Sequence, residues 1–439
     1  MKIRTSPRKI GIVSLGCAKN LIDSELLQKQ LDANKLKIYF DPASIKGIDT
    51  VVINTCGFIV DAKEESVETI LRYVKAKTEG KLRHVLVMGC LSERYREQLR
   101  KDIPEVDAFY GVNELKKIVN DLGGDYNKHL LGERMISTPS HYAYLKIAEG
   151  CDRKCSFCAI PGIRGMHVSR PSGEIIHEAE GLVAGGVREI IVISQDTTSY
   201  GIDLHRRKRI TPLIEKLAHT NENGWIRLHY AYPLGFPLDI LPVIRDHRNI
   251  CRYIDIPLQH ISDHILKSMK RGLSSLKTRQ LIETIRKEIP GITIRSSFIV
   301  GYPGETKKEF NELLDFVKET EFDRLGVFTY SHEEGTPAYK LRDDIHQKIK
   351  QERADEIMAL QENISLKKNV EKVGNKIKVL IDRKERDFYI ARTEGDSPEI
   401  DNEVLIPTTG NKLKTGTFTE VTVTSAGSFD LFAKPAGRL

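Results

Sequence analysis

The sequence predicts an α/β protein in three parts: an N-terminal parallel α/β domain over residues 8–125, a central partial (β/α)6 barrel over 137–369, and a small antiparallel β-barrel over 371–439. Three observations predict it. Strand-length apolar runs alternate with helical patterns through the first two parts, as in parallel sheets with helices on their faces. Six strand–helix units follow one another from residue 142, which fits a partial barrel of the TIM type. From residue 371 the pattern switches to short strands separated by turn residues.

In the first part the strand-like runs are KIGIVSL, DTVVINT and HVLVMG, with helical stretches near 20–33, 61–77 and 92–101. Residues 126–140 read as a connector. The central strands are YAYLKIA, EIIVIS, IRLHYA, YIDIPL, ITIRSSFIVG and RLGVFTYS. A charged helix near 344–370 follows, with Ile357, Leu360 and Ile364 on one apolar stripe. The last part offers KIKVLIDRK, DFYIART, NEVLIP, TFTEVTVTS and FDLFAK.

At 439 residues the chain is too long for one ordinary domain. Its 40% hydrophobic and 29% charged residues place it among globular proteins rather than disordered ones. The formal net charge of +7 suits a polyanionic partner such as RNA or a ribosome, but many proteins without one share it. No apolar run reaches the roughly 18 residues of a membrane span. The basic N-terminus lacks the apolar stretch and cleavage site of a secretory signal. A cytoplasmic protein with no membrane partner is expected. The seven cysteines are then thiols or metal ligands rather than a disulfide framework.

The strongest local signal is CDRKCSFC, which spaces Cys151, Cys155 and Cys158 as C-x3-C-x2-C just after the first central strand. Three thiolates this close can grip three irons of a cubane cluster and leave the fourth iron open to a small molecule. The competing reading is structural zinc, which normally takes four ligands and paired C-x2-C motifs; His167 would be the fourth ligand. A second set, Cys17, Cys56 and Cys90, is dispersed, yet each residue ends an apolar strand: IVSLGC, VVINTC and VLVMGC. Strands of a parallel sheet end on one edge, where ligands gather, so three such cysteines can converge. Gly16, Gly57 and Gly89 flank them and would let backbone approach a bulky cluster. The competing reading is three buried core thiols. Cys251 has no partner motif and reads as a packed thiol.

The two cysteine sets and the small C-terminal barrel, with the motifs SLGCAKNLIDSE, NTCGFIVDAKEES, YLKIAEGCDRKCSFCAIPGIRG, SQDTTSYG, YIDIPLQHIS, IVGYPGET and YSHEEGT, resemble the radical S-adenosylmethionine methylthiotransferases. Phe157 fills the aromatic position of that superfamily's cysteine loop. The resemblance covers nearly the whole chain. It implies two [4Fe-4S] clusters, S-adenosyl-L-methionine as cofactor, a radical-SAM central barrel and a TRAM-like, OB-like C-terminal barrel. Within the family the chain looks most like the branch that adds methylthio to the β-carbon of an aspartate of small-subunit ribosomal protein twelve, free or in the 30S subunit. An electron donor such as flavodoxin or ferredoxin and a sulfur donor are implied partners. Other members modify an adenosine of transfer RNA. A reading of a different class is an iron–sulfur electron carrier or structural metalloprotein.

A barrel that grips RNA should be basic. From Glu371 onward there are 11 Lys plus Arg against 11 Asp plus Glu. The segment RTEGDSPEIDNE puts Glu394, Asp396, Glu399, Asp401 and Glu403 beside Arg392 alone. Such an acidic edge would repel phosphate, which favours a protein substrate over transfer RNA. At the expected catalytic face, the strand ends carry Gln195, Asp196, Tyr230, Gln259, His260, Arg295, Ser296 and Ser331. Phe157, Gln195, Arg295 and Gly301 are the expected cofactor contacts. GYPGET lacks the lysine of a phosphate loop and reads as a tight strand-to-helix turn. Pro161 and Gly162 would shape the loop after Cys158.

Overall fold

A computed structural model of the chain describes residues 9–130 and 133–436. They form two compact units. The first runs to Thr138 and adds residues 149–153 and 158–178; the second takes 139–148, 154–157 and 179–439.

The first unit is built on a parallel sheet of β1 (Lys9–Ser14), β2 (Lys37–Phe40), β3 (Thr50–Thr55), β4 (His84–Gly89) and β5 (Ala108–Phe109), ordered β2-β1-β3-β4-β5. Helices α1 (Ala18–Ala33), α2 (Val60–Thr78), α3 (Cys90–Asp102) and α4 (Leu115–Asp121) complete it. The central strands are apolar on both faces because both faces are covered, and every residue of β3 is buried. One core gathers Val51, Ile53, Ile70, Val85 and Val87; the other gathers Ile10, Ile12, Leu27, Leu31 and Val52. The sequence pattern shows three strands here; β2, β5 and α4 escape it because two are short edge strands and the third is a seven-residue helix.

In the second unit β6 (Tyr142–Lys146) opens the central sheet. Strand β7 (Ala148–Glu149) precedes the cysteine loop; α5 (Ile160–Arg164) and β8 (Val168–Ser169), which belong to the first unit, follow it. The sheet continues through β9 (Glu189–Ile193), β10 (Trp225–Leu228), β11 (Ile250–Asp255), β12 (Thr293–Val300) and β13 (Arg324–Thr329), in the order β13-β12-β11-β10-β9-β6. All six strands are parallel, as the six apolar runs predict. The helix Gln347–Val370 buries Ile357 and Ile364.

The C-terminal strands β14 (Lys376–Glu385), β15 (Phe388–Thr393), β16 (Val404–Pro407), β17 (Phe418–Ala426) and β18 (Leu431–Pro435) close a barrel ordered β14-β15-β16-β18-β17. It is not wholly antiparallel: β16 and β18 pair in parallel, which lets five strands close.

The barrel is tied to every strand of the central sheet. Tyr142 on β6 donates to Glu399 at 2.8 Å. Glu189 on β9 meets Arg392 at 2.7 Å. Arg227 on β10 donates to the Glu394 carbonyl at 2.7 Å. Tyr253 on β11 donates to Asp401 at 2.8 Å, Arg295 on β12 reaches the same carboxylate at 3.3 Å, and Arg324 on β13 donates to Asp396 at 2.8 Å. Tyr142, Glu189 and Arg324 are the first residues of their strands, so the barrel docks opposite the C-terminal strand ends.

This overturns the acidic edge. Asp396 and Asp401 are buried against arginines, Glu399 accepts from Tyr142 and Tyr144, and Glu403 pairs with Arg383 at 2.8 Å. Asp396, Glu399 and Asp401 thus serve docking onto the central sheet and Glu403 is paired within the barrel, so the run is not the free acidic edge its composition suggests.

Candidate functional site

The sheet order of the first unit reverses between β1 and β3, and in such sheets ligands bind beyond the strand ends at the reversal. Cys17 follows β1 as the N-cap of α1, Cys56 follows β3, and Cys90 follows β4 as the first residue of α3. The backbone there is tailored for close approach. Gly89 has φ +98°, and a Cβ on it would lie 2.3 Å from Asn54 Oδ1. A Cβ on Gly16 would lie 2.7 Å from that of Cys56. Asn20 braces the edge: its Nδ2 donates to the carbonyls of Leu15 at 2.9 Å and Thr55 at 3.0 Å. Ser66 holds the Cys56 backbone, accepting from its N–H at 3.0 Å and donating to its carbonyl at 2.9 Å.

Cys17 is exposed, whereas Cys56 and Cys90 are buried. Burial pushes the Cys90 thiol up to about 12, against the pull of Arg164, with the Cys17 and Cys56 charges adding to the rise. Burial raises Cys56 too, and the Cys17 charge adds to it. The Cys17 charge is therefore felt at both buried thiols. Among the described residues no group of three His, Cys, Asp or Glu is set for a metal ion. Three thiolates repel one another unless a cation stands between them. As a donor set, soft sulfur ligands at one glycine-lined sheet edge fit an iron–sulfur cluster.

The C-x3-C-x2-C loop runs from β7 to α5. Cys151 is buried, its N–H donating to Gly165 at 3.0 Å, and Asp152 accepts from the His167 N–H at 2.8 Å. Gly150 has φ +76°, and a Cβ there would strike the Met166 carbonyl at 2.0 Å. Cys158 is half-buried. In the second unit, Cys155 is buried and its Sγ accepts from Arg271 Nη1 at 3.2 Å, with Tyr232 Oη at 3.4 Å. The Arg271 guanidinium stacks on Tyr232 at 4.3 Å. Ser156 pins the segment through Met269, Ser268 and Ala338, and Phe157 packs against Ile265, Met269, Tyr302, Tyr330 and Ala338. Three thiols in one C-x3-C-x2-C loop are also a donor set that fits a cluster.

The polar strand ends sort by what they touch. Gln195, Tyr230, Gln259, His260 and Ser331 follow the C-terminal ends of their strands. Tyr230 and Gln259 have φ +58° and +75°, conformations that cost energy outside glycine and cluster at functional sites. Asp196 caps the turn of SQDTTSYG, accepting from Thr198 and Ser199. His260 is fully buried; its Nδ1 accepts from the Ser262 N–H at 3.0 Å and its Nε2 lies 3.6 Å from Glu305. Arg295 is a correction: it is the third residue of β12, bound to Asp255 and Asp401 at 3.3 Å each on the side of the C-terminal barrel, and Ser296 beside it donates to Ile256. The run ITIRSSFIVG itself extends past Arg295 to Val300, so Arg295 lies near the start of the strand rather than at its C-terminal end. Gly301 does stand at that strand end; its φ is +72° and the Lys350 stem leaves no room for a Cβ. Cys251 is a packed thiol beside Trp225 and Tyr253.

Sequence reasoning misses Arg164, Arg271, Tyr232 and Asn20. Arg164 and Asn20 lie inside the quoted motifs, yet nothing in a linear pattern shows that they reach thiols distant in the chain.

Residues 9–111 match the uncharacterized protein family UPF0004, residues 145–317 the radical SAM superfamily, and residues 373–435 the TRAM domain. The chain is 52% identical to the ribosomal protein uS12 methylthiotransferase RimO of Flavobacterium johnsoniae, covering 98% of each. The chain belongs to the RimO family. RimO proteins of Porphyromonas gingivalis and Chloroherpeton thalassium are 51% and 49% identical, over 97% and 98% of this chain and 98% and 99% of theirs. Among solved structures, the radical S-adenosylmethionine methyltransferase TsrM from Kitasatospora setae aligns with a TM-score of 0.55 at 15% identity, covering 76% of this chain and 74% of its own. The cobalamin-dependent S-adenosylmethionine radical enzyme OxsB aligns with a TM-score of 0.53 at 13% identity, over 82% of this chain and 56% of its own. Both place the RimO family chain in the radical SAM fold. No helix among the described residues is long and apolar enough to cross a membrane.

Proposed function

We propose that this chain is a radical S-adenosylmethionine methylthiotransferase that replaces a hydrogen on the β-carbon of an aspartate of ribosomal protein uS12 with a methylthio group. The observation that carries the reading is the identity of about half the residues, over nearly the full length, to relatives named for that activity. The two cysteine trios supply the donors the chemistry needs.

Cys151, Cys155 and Cys158 would hold one [4Fe-4S] cluster, and Cys17, Cys56 and Cys90 the second. When bound, the first would supply the electron that cleaves S-adenosylmethionine, and the second a site for sulfur. Arg271 and Tyr232 hold the Cys155 thiol in place. Gln195, Gly301 and Phe157 are the proposed neighbours of S-adenosylmethionine, at or beside the C-terminal strand ends. Overall, the substrate loses a C–H bond and gains a C–S bond. The hydrogen leaves in 5′-deoxyadenosine from one S-adenosylmethionine and the methyl group comes from another. A sulfur donor and a reductant such as flavodoxin or ferredoxin complete the balance, in the cytoplasm.

With Asp396, Glu399 and Asp401 engaged by the central sheet, the preference for uS12 over transfer RNA rests on the relatives. The test is anaerobic reconstitution with iron, sulfide, reductant and S-adenosylmethionine, offered uS12, 30S subunits or transfer RNA in parallel. The expected result is 5′-deoxyadenosine together with methylthio on the uS12 aspartate. Methylthio on transfer RNA alone would reverse the substrate, and no 5′-deoxyadenosine with any substrate would reduce the chain to a non-catalytic metalloprotein.

A further inference from the structure

Arg164, in α5 just beyond Cys158, has no task in the reading above. Its side chain is 2% exposed, and its partners all belong to the first unit. Nη1 pairs with Asp23 Oδ2 at 2.9 Å and with both Glu149 oxygens at 3.1 Å. Nη2 donates to Asn20 Oδ1 at 2.5 Å and reaches Cys90 Sγ at 3.5 Å.

These partners come from two places. Asn20, Asp23 and Cys90 belong to the sheet edge where Cys17, Cys56 and Cys90 stand. Glu149 lies just ahead of Cys151, on the strand that leads into the other cysteine loop. One guanidinium thus joins that sheet edge to Glu149, two residues ahead of Cys151. A buried cation is costly unless paired, and here two carboxylates over-compensate it. Plain anchoring would need only the carboxylates; the Nη2 group turned to a thiol adds a function that anchoring does not require.

We propose that Arg164 is a positioning residue of the auxiliary centre, a fixed cation that favours the more reduced, more negative state of a cluster held by Cys17, Cys56 and Cys90. The inference rests on the methylthiotransferase reading, which supplies that cluster. The physical basis is general: net charge near a cluster and hydrogen bonds to its sulfurs set its reduction potential. A nearby positive charge stabilises the added electron, and more strongly where water is excluded.

The test uses the full chain carrying Cys151→Ala, Cys155→Ala and Cys158→Ala, so that only the auxiliary cluster forms. Its midpoint potential is read by redox titration followed by electron paramagnetic resonance, with Arg164→Gln, Arg164→Lys and Glu149→Gln added singly. Arg164→Gln is expected to shift the potential negative, Arg164→Lys to restore most of the shift, and Glu149→Gln to shift it positive. A purely structural role moves none of these in opposite directions. Potentials of Arg164→Gln and Glu149→Gln indistinguishable from the parent would overturn the proposal. If Arg164→Gln takes up no cluster, an unmoved Glu149→Gln potential overturns it alone. A parent chain with no iron at the three thiols would remove the methylthiotransferase reading instead, a separate outcome.

Discussion

Arg392 of the C-terminal barrel and Glu189 at the start of β9, both fully buried, stand 2.7 Å apart. The same guanidinium forks onto Asp382, with its Nε at 2.5 Å, and Asp382 in turn meets His141 at 2.8 Å. Arg227 closes the network on the other Glu189 oxygen at 2.7 Å. Charged groups without water are tolerable only when each has its partners, so the network demands that barrel and central sheet form together.

Arg392→Ala leaves two buried carboxylates short of a cation. The expected cost is about 3–5 kcal/mol of unfolding free energy, read as a lower urea midpoint with unchanged slope. Arg383→Ala, which breaks the solvent-exposed pair with Glu403, is expected to cost less than about 1 kcal/mol. Equal effects of the two would mean that the network is not integral to the unit.

The network also sets an acid limit. Burial works to raise the carboxyls of Glu189, Asp382 and Asp396, and their arginine partners, with His141 for Asp382, overcome it and hold all three below the usual range. In the unfolded chain these groups take up protons near pH 4, before the native ones do. Their contribution is therefore present above about pH 4 and lost as pH falls through the lower native values. Asp401, raised by burial, works in the opposite sense. Urea midpoints are expected to fall below pH 4, with a shallower fall in Asp396→Asn.

Gly89 holds φ +98° and ψ −161°, a region essentially confined to glycine, with Asn54 and Thr55 where a Cβ would go. Gly89→Ala is expected to cost about 1–3 kcal/mol and to displace Cys90. In reconstituted protein, iron at the auxiliary site should fall while the Cys151 site keeps its own. Full iron content in the variant would contradict the account of that edge.

Cys17→Ala and Cys151→Ala should each remove about one cubane's worth of iron and sulfide, since each trio has no spare ligand. The double variant should lose both. Iron analysis with absorption spectra checks this; loss of all iron in either single variant would mean that the two sites are not independent.

Much of this fold can be read in the chain. β3 is buried along its whole length and apolar through Val51, Val52 and Ile53 because both its faces are covered, and the six central runs are equally plain. Strands such as Lys37–Phe40 and Ala108–Phe109 sit at edges, where burial imposes little pattern. The cysteines declare themselves by spacing and by their place at strand ends. Charges do not. The run from Glu394 to Glu403 looks like an exposed acidic edge because composition cannot show that Arg295 and Arg324 wait on other strands to receive it. The place of Arg295 near the start of its strand is legible in its own run, but its partners Asp255 and Asp401 are three-dimensional facts. Arg164 is invisible as a thiol contact until the fold brings Cys90 to it.

The most direct test of the methylthiotransferase reading is mass spectrometry of uS12 from cells lacking this chain, and from the same cells carrying it intact or as Cys151→Ala. The account predicts that uS12 loses one methylthio group in the deletion, regains it with the intact chain and stays unmodified with the variant. An unchanged uS12 in the deletion, with methylthio missing from transfer RNA instead, would contradict it.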